Sequence, residues 1–579
     1  HRRDEFPPDD PWLIHTIPKV NPAAQTSICR HTPFFHEHPR FKSGTRNWFW
    51  EIQALIPQIA RANKTGLIDL HTPLYVHPEL FSDALHPDET GAGIIAQTIY
   101  SRISGNYGGL QLATPFGPHM VMQRNKPLRF YGVADAKEAV TVDFNGQRQR
   151  TYADEQGKWL VEFPAMPAGG PYRAGISTAR KSILLEDIGV GEVWLCSGQS
   201  NMEFPLRNAV QQHTYGNNAN IRLLRMAPLA PTDNVAWDTA TLSKVNQLQY
   251  FSGAWQCSDT ATASPFSAVG WFFASKLQQE LHVPVGVIEI AVGGSTTESW
   301  IDRFTMEQDP QLTDELYHWR TSDFYQPWCR ERAAVNLANS VQPLQRHPYG
   351  PCYNFEAGIA SFTRFPIQGV IWYQGESNAH NPEQHAVLLP ALVKSWRQHW
   401  GYEFPFYYVQ LSSLNRPSWP AFRESQLQLL KVIPRTGMAV SIDVGDSTNV
   451  HPRHKKEVGD RLAALALHFT YSREKVVPYG PMPLKAVVAG NEMTVAFQYA
   501  GARLQTAGGA SLKGFSLVDD KGSKDPANAA IRQDKVIIPL PAHTVIMKLY
   551  YGREPFTRAN LVNAAGLPAP AFMLNLNEQ

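Results

Sequence analysis

Ser200 sits in the stretch GEVWLCSGQSNMEFPL, where a strand-like EVWLC runs into a tight S-G-Q-S-N turn. A serine hydroxyl is a weak nucleophile until a base takes its proton and donors stabilise the oxyanion that follows. The turn offers one such donor, the Ser200 backbone N–H. It is not a G-x-S-x-G nucleophile elbow, because Met202 occupies the second glycine position. Taken alone, a serine in a strand-to-helix turn is more often a helix cap than a nucleophile. Three further segments change that balance. AVGGSTTESWI carries Gly293 and Gly294, which let a backbone N–H approach a bound carbonyl. GVIWYQGESNA crowds Gln374, Glu376 and Asn378 at a strand end, where an amide donor completes an oxyanion hole. IDVGDSTNVHPRHKKEVGDRLA brings His451 as the candidate base.

A second acid–base pattern lies far upstream, in FSDALHPDETGAG. Asp83 and His86 stand as D-x-x-H-P ahead of a helix-like run, the spacing of an orienting acid and a base. Its bland alternative is a capped helix start, with Asp83 near the N-terminus and Pro87 inside. Other clusters carry less. His31, His36 and His38 in HTPFFHEHPR read as a solvated loop, and RHKKE at 453–457 reads as the solvated face of a helix. Cys196 reads as core packing. Trp300, Trp372 and Tyr373 suit a sugar pocket and a buried sheet edge equally well.

These residues need scaffolds. Residues 1–108 alternate helix-like NWFWEIQALIPQIARAN, strand-like GLIDL and helix-like GAGIIAQTIYSRI, with Gly66 as the expected first helix stop. SGNYGG at 104–109 reads as a linker. Residues 109–190 change to short alternating strands separated by turns, a small β-sandwich. From 191 to 475 the βα rhythm returns, with VGVIEIAVGG, GVIWYQG, PFYYVQLS and MAVSIDVG interleaved with helical runs. That rhythm implies a mostly parallel sheet covered on both faces, and it places Ser, Gly, Gln/Asn and His at successive strand ends. Residues 476–579 are again strands, expected to complete the first sandwich.

Composition narrows the partners. The chain has 579 residues, too many for one ordinary domain. Its 53 basic and 51 acidic residues give a net charge of +2, which offers no electrostatic case for nucleic acid. No apolar run reaches the roughly 20 residues of a membrane span. Five widely spaced cysteines make no CxxC or Cys/His finger, so no structural zinc is expected. The chain opens HRRDEF with no Met or leader, so an upstream portion is expected.

The stretches GEVWLCSGQSNME, VGGSTTESW, GVIWYQGESNA and HP followed by K resemble the SGNH (GDSL-type) hydrolases, specifically the sialate O-acetylesterase family. FGPHMVMQRNKPLRFYG and FNGQ, before the serine, match the same family. The resemblance covers roughly 109–575. It implies an α/β fold: an SGNH-hydrolase three-layer α/β/α domain with an accessory β-sandwich. It implies a secreted or periplasmic serine esterase acting on O-acetylated sialic acid or sialoglycans, with no metal or organic cofactor. Ser200 would be the nucleophile and His451 the base, with the Ser200 and Gly294 N–H groups and the Gln374 side chain as oxyanion hole.

One position departs from the SGNH pattern. Three residues before His451, where the acid usually stands, is Thr448; Asp446 is five before and Asp443 eight before. Asp446 is the favoured orienting acid, with Asp443 or a backbone carbonyl such as that of Asn449 as alternatives. KVNPAAQTSICRHTPFF, PQIARANKTGLIDLHTPL and the Asp83–His86 stretch resemble the C-terminal half of a second SGNH-type α/β domain, whose serine half would be a separate partner. Two other functions stay open: an acetyl esterase on xylan or another polysaccharide, and a non-catalytic carbohydrate-binding protein on a decayed scaffold.

Overall fold

The computed structural model describes residues 6–210, 217–541 and 544–576. In the N-terminal segment, strand β1 (Ser27–Arg30) pairs in parallel with β2 (Gly66–Asp69), with helix α1 (Thr45–Ala62) between them. Ile52, Ile56 and Ile59 of α1 are buried at helical spacing and pack with Ile14. The helix ends at Ala62 rather than running to Gly66, which instead starts β2. Helix α2 (Glu89–Ser104) is capped by Asp88, whose carboxylate accepts the Gly91 N–H, so Asp83 and His86 lie wholly before it.

Strand β3 (Ser182–Gly198) joins two parts of the molecule. Its first half pairs with Gly169–Ser177 and Val121–Gln123 among the short strands, where Phe130, Val142, Phe144 and Ile176 form the core. Its second half enters a sheet with β4 (Asn218–Arg225), β5 (Trp255–Ser258), β6 (Val285–Ala291), β7 (Gly369–Tyr373), β8 (Phe406–Val409) and β9 (Thr436–Ala439). The order is β5-β4-β6-β3-β7-β8-β9, parallel except for β5 at the edge. Alternate residues of β3 face opposite cores: Val193 and Leu195 one, Trp194 and Cys196 the other. Both faces are covered, which is why these strands read as continuous apolar runs. Each buried aliphatic side chain stabilises the sheet by about 1.5–3 kcal/mol.

The C-terminal strands do not complete the first sandwich. Every ladder they make stays within residues 482–575, in two four-stranded antiparallel sheets and one short pair. Phe497 and Phe572 meet between those sheets at 6.0 Å, so their inward faces cover each other. The unit docks on the sheet domain instead, where Arg423 donates to the Glu554 and Pro555 carbonyls.

Candidate active site

β3 ends at Gly198, which holds φ at +138°; an added Cβ would stand 2.2 Å from the Tyr373 carbonyl oxygen. Only glycine lets the chain turn there, directly against the end of β7. Gln199 pins the turn, its Oε1 accepting the N–H groups of Gly375 and Ser377 at 3.3 and 3.2 Å. Ser200 then opens the short helix Ser200–Glu203. The first N–H of a helix has no acceptor within it, which leaves the Ser200 N–H available.

His451 comes from the loop between β9 and helix α3 (Lys455–Leu465). Its Nε2 lies 2.7 Å from Ser200 Oγ, the geometry in which the hydroxyl donates to the ring. Burial first, then the charges of Lys455 and Arg332, push the imidazole below its usual range, so it is neutral and able to accept a proton near pH 7.

The glycine turn after β6 is held from several sides. Gly293 N–H donates to Glu203 Oε2 at 2.7 Å, and the Gly293 carbonyl accepts from Thr232 Oγ1 and Tyr349 Oη at 2.7 and 2.9 Å. The Gly294 carbonyl accepts from Ser377 Oγ at 3.0 Å. Gly294 holds φ at +79°, and an added Cβ would meet Tyr349 Oη at 2.2 Å. Among the described residues neither the Gly294 N–H nor the Ser200 N–H has an acceptor, and both residues line one cavity.

Other expected members stand elsewhere. Gln374 is buried behind this turn, outside the cavity lining. Its Nε2 donates to Asn378 Oδ1 at 2.6 Å and Ser295 O at 3.4 Å, while its Oε1 accepts from Thr297. Asp446 is turned away from His451: its Oδ1 accepts from the Thr448 and Asn449 N–H groups, both at 2.8 Å, and from Thr448 Oγ1. A short acidic side chain in D-S-T-N satisfies its own loop first. Asp443 forms an ion pair with Arg461 instead. The Asn449 side chain, not its carbonyl, touches His451, accepting the main-chain N–H at 2.9 Å. Among the described residues His451 Nδ1 has no acceptor.

Asp83 and His86 pair at 2.7 Å on the surface, with 76% of the His86 side chain exposed. Two surrounding readings change. His36 is buried against Tyr317 rather than solvated, and burial holds it down to about 3. Lys455, in the basic run, is fully buried, while its neighbour Lys456 faces out to pair with Asp460. Trp300, Trp372 and Tyr373 are core residues; Trp328 and Tyr250 line the cavity instead. His119, Asp187 and Cys257 place ligand-type atoms within 4.8 Å of one another, but the Arg222 guanidinium already occupies both Asp187 oxygens.

The cavity over Ser200 and His451 measures about 490 Å³ and is also lined by Glu203, Arg332, Glu376 and Arg416. Arg332 lies over the Trp328 ring at 5.0 Å and Arg416 over Trp419 at 5.2 Å. Sequence reading missed both arginines, along with Glu203 and Lys455. Glu203 carries a signal, since it follows Ser200 by three residues on a helix; Arg332 lies on the helix Pro327–Asn336 and Arg416 in the loop after β8, neither within a motif.

A family model described as carbohydrate esterase, sialic acid-specific acetylesterase, matches residues 345–468. The sialate O-acetylesterase of Rattus norvegicus is 27% identical over 462 residues, 69% of this chain and 81% of that protein. The Mus musculus protein of the same name is 28% identical over 450 residues, covering 68% and 79%. A crystal structure described as a novel carbohydrate acetylesterase from Xanthomonas citri is 30% identical with a TM-score of 0.66. The match covers 80% of this chain and 99% of that one.

Proposed function

Because this chain belongs to the sialic acid-specific acetylesterase family of carbohydrate esterases, we propose that Ser200 and His451 remove O-acetyl groups from sialic acids through an acetyl-enzyme. The single observation that carries the assignment of roles is the 2.7 Å contact between His451 Nε2 and Ser200 Oγ. His451 takes the hydroxyl proton as Oγ attacks the acetyl carbonyl. The tetrahedral oxyanion forms beside the Ser200 and Gly294 N–H groups, which need no rearrangement to receive it. His451 then returns the proton to the departing sugar oxygen. Water, deprotonated by the same ring, releases acetate and restores the serine.

Arg332 and Arg416 support an anionic sugar. Among the described residues neither forms an ion pair, and both line the cavity. A guanidinium matches a carboxylate in shape and charge. Acetate release from O-acetylated sialic acid and from acetyl-xylan, measured side by side, tests this. Faster release from the sialic acid is expected; preference for xylan overturns the substrate assignment.

Asp83 and His86 are read as the acid–base half of a second site of the same kind, whose serine is not among the residues of this chain that contact them. Among the described residues no serine hydroxyl contacts His86, so His86→Ala leaves acetate release by this chain unchanged. A large loss in that variant contradicts the reading. No helix among the described residues is long and apolar enough to cross a membrane. Secretion or periplasmic residence fits a sialoglycan substrate, and fractionation of the producing cells tests it.

A further inference from the structure

The side-chain amide of Asn201, next to Ser200, is fully buried and bonded at both ends. Its Nδ2 donates to Glu376 Oε1 at 2.5 Å and to the Val450 carbonyl at 3.0 Å. Its Oδ1 accepts from Lys455 Nζ at 2.5 Å. Lys455 is fully buried too, its ammonium over the rings of Phe204 and Tyr373 at 4.8 and 5.3 Å. One amide thus ties the nucleophile turn to the loop after β7, the residue before His451, and the first turn of α3.

The Val450 carbonyl and the His451 N–H belong to one peptide group. Asn201 Nδ2 holds its oxygen and Asn449 Oδ1 holds its N–H at 2.9 Å. What the third member of a serine triad supplies is orientation of the imidazole. Among the described residues no carboxylate reaches His451 Nδ1, yet the backbone carrying the ring is clamped on both edges. Lys455 matters to the clamp because an amide has one acceptor end and one donor end. With the ammonium on Oδ1, Nδ2 faces Glu376 and Val450; without it, Oδ1 is left buried with no donor and the amide loses its tie to α3.

We propose that Lys455 and Asn201 are positioning residues that stand in for the missing acid, holding the Val450–His451 peptide so that the imidazole stays on Ser200. The inference rests on Ser200 and His451 being the catalytic pair.

Burial disfavours the charged form of both Lys455 and Glu376. It pushes the Lys455 ammonium down to about 7, opposed by the Glu376 carboxylate, and it raises the Glu376 carboxyl. Arg416 also acts on Glu376, and Lys455 and Arg332 are the charges that act on His451.

Three variants test the clamp. Lys455→Met keeps the chain length over Phe204 and Tyr373 without the charge. Asn201→Asp keeps the acceptor for Lys455 and loses both donated bonds. Asn449→Ala frees the other edge of the peptide from an exposed loop, where folding is not at stake. With p-nitrophenyl acetate, the first two lower kcat about 100-fold with KM little changed, and the third about tenfold, as expected when a reacting group drifts by an ångström. In Lys455→Met the acid limb of kcat/KM also moves to higher pH, because a charge that depresses the imidazole is gone. A purely structural role lowers thermal stability and leaves kcat of the folded variants at the wild-type level. Wild-type kcat in folded Asn201→Asp or Asn449→Ala, or an unmoved limb in folded Lys455→Met, overturns the proposal. Equal rates in the unaltered enzyme and Ser200→Ala instead overturn the catalytic pair itself, so the two failures are distinguishable.

Discussion

Glu203 Oε2 accepts the Gly293 N–H at 2.7 Å, joining the helix that begins at Ser200 to the turn that carries Gly294. The carboxyl is pushed up by burial and still aims at the turn. It holds the residue before Gly294.

Removing that tether separates its acceptor role from its shape. Glu203→Ala lowers kcat by about tenfold to a hundredfold, because the turn it holds at Gly293 shifts and takes the proposed Gly294 donor with it. Glu203→Gln keeps an acceptor oxygen and stays within a few-fold of wild type. Steady-state kinetics on p-nitrophenyl acetate check this, and wild-type kcat in folded Glu203→Ala contradicts it.

Gly294 admits no side chain. A Cβ would stand 2.2 Å from Tyr349 Oη on a backbone at φ +79°. Gly294→Ala therefore moves the turn and costs about 100-fold or more in kcat, the scale of losing one oxyanion donor. Circular dichroism confirming an intact fold, alongside kcat, distinguishes this from general unfolding.

His385 gives a pH effect whose sign can be worked out. Both its ring nitrogens are buried, with no hydrogen-bond partner among the described residues; the ring lies beside Phe422, and burial holds it down to about 3. In the unfolded chain it titrates at about 6.5. Its depressed folded pKa means that stability is present above about pH 6.5 and is lost as pH falls, because only the unfolded chain takes up the proton. His385→Leu removes that loss. Relative to wild type, the variant gains about 2 kcal/mol between pH 7.5 and pH 5. Urea unfolding at the two pH values measures it, and a constant difference contradicts it.

Much of this was legible in the sequence because motifs that end strands bring their own backbone geometry. S-G-Q-S-N, V-G-G-S and H-P after strand-like runs located Ser200, Gly294 and His451 at one sheet edge. Side chains whose partners are distant in sequence were not legible. Lys455 and Lys456 are adjacent lysines, and only the packing of α3 turns one into the core and the other to Asp460. Asp446 was readable in hindsight, since D-S-T-N favours a carboxylate folded onto its own loop. The C-terminal strands were legible as strands, but their ladder partners are set by long-range pairing that local alternation does not encode.

The most direct test of the account is covalent labelling by a fluorophosphonate probe, read by intact mass and peptide mapping. The account predicts a single adduct on Ser200, lost in Ser200→Ala together with p-nitrophenyl acetate hydrolysis and strongly slowed in His451→Ala. A folded Ser200→Ala protein that hydrolyses the ester at the wild-type rate, or an adduct on another residue, contradicts it.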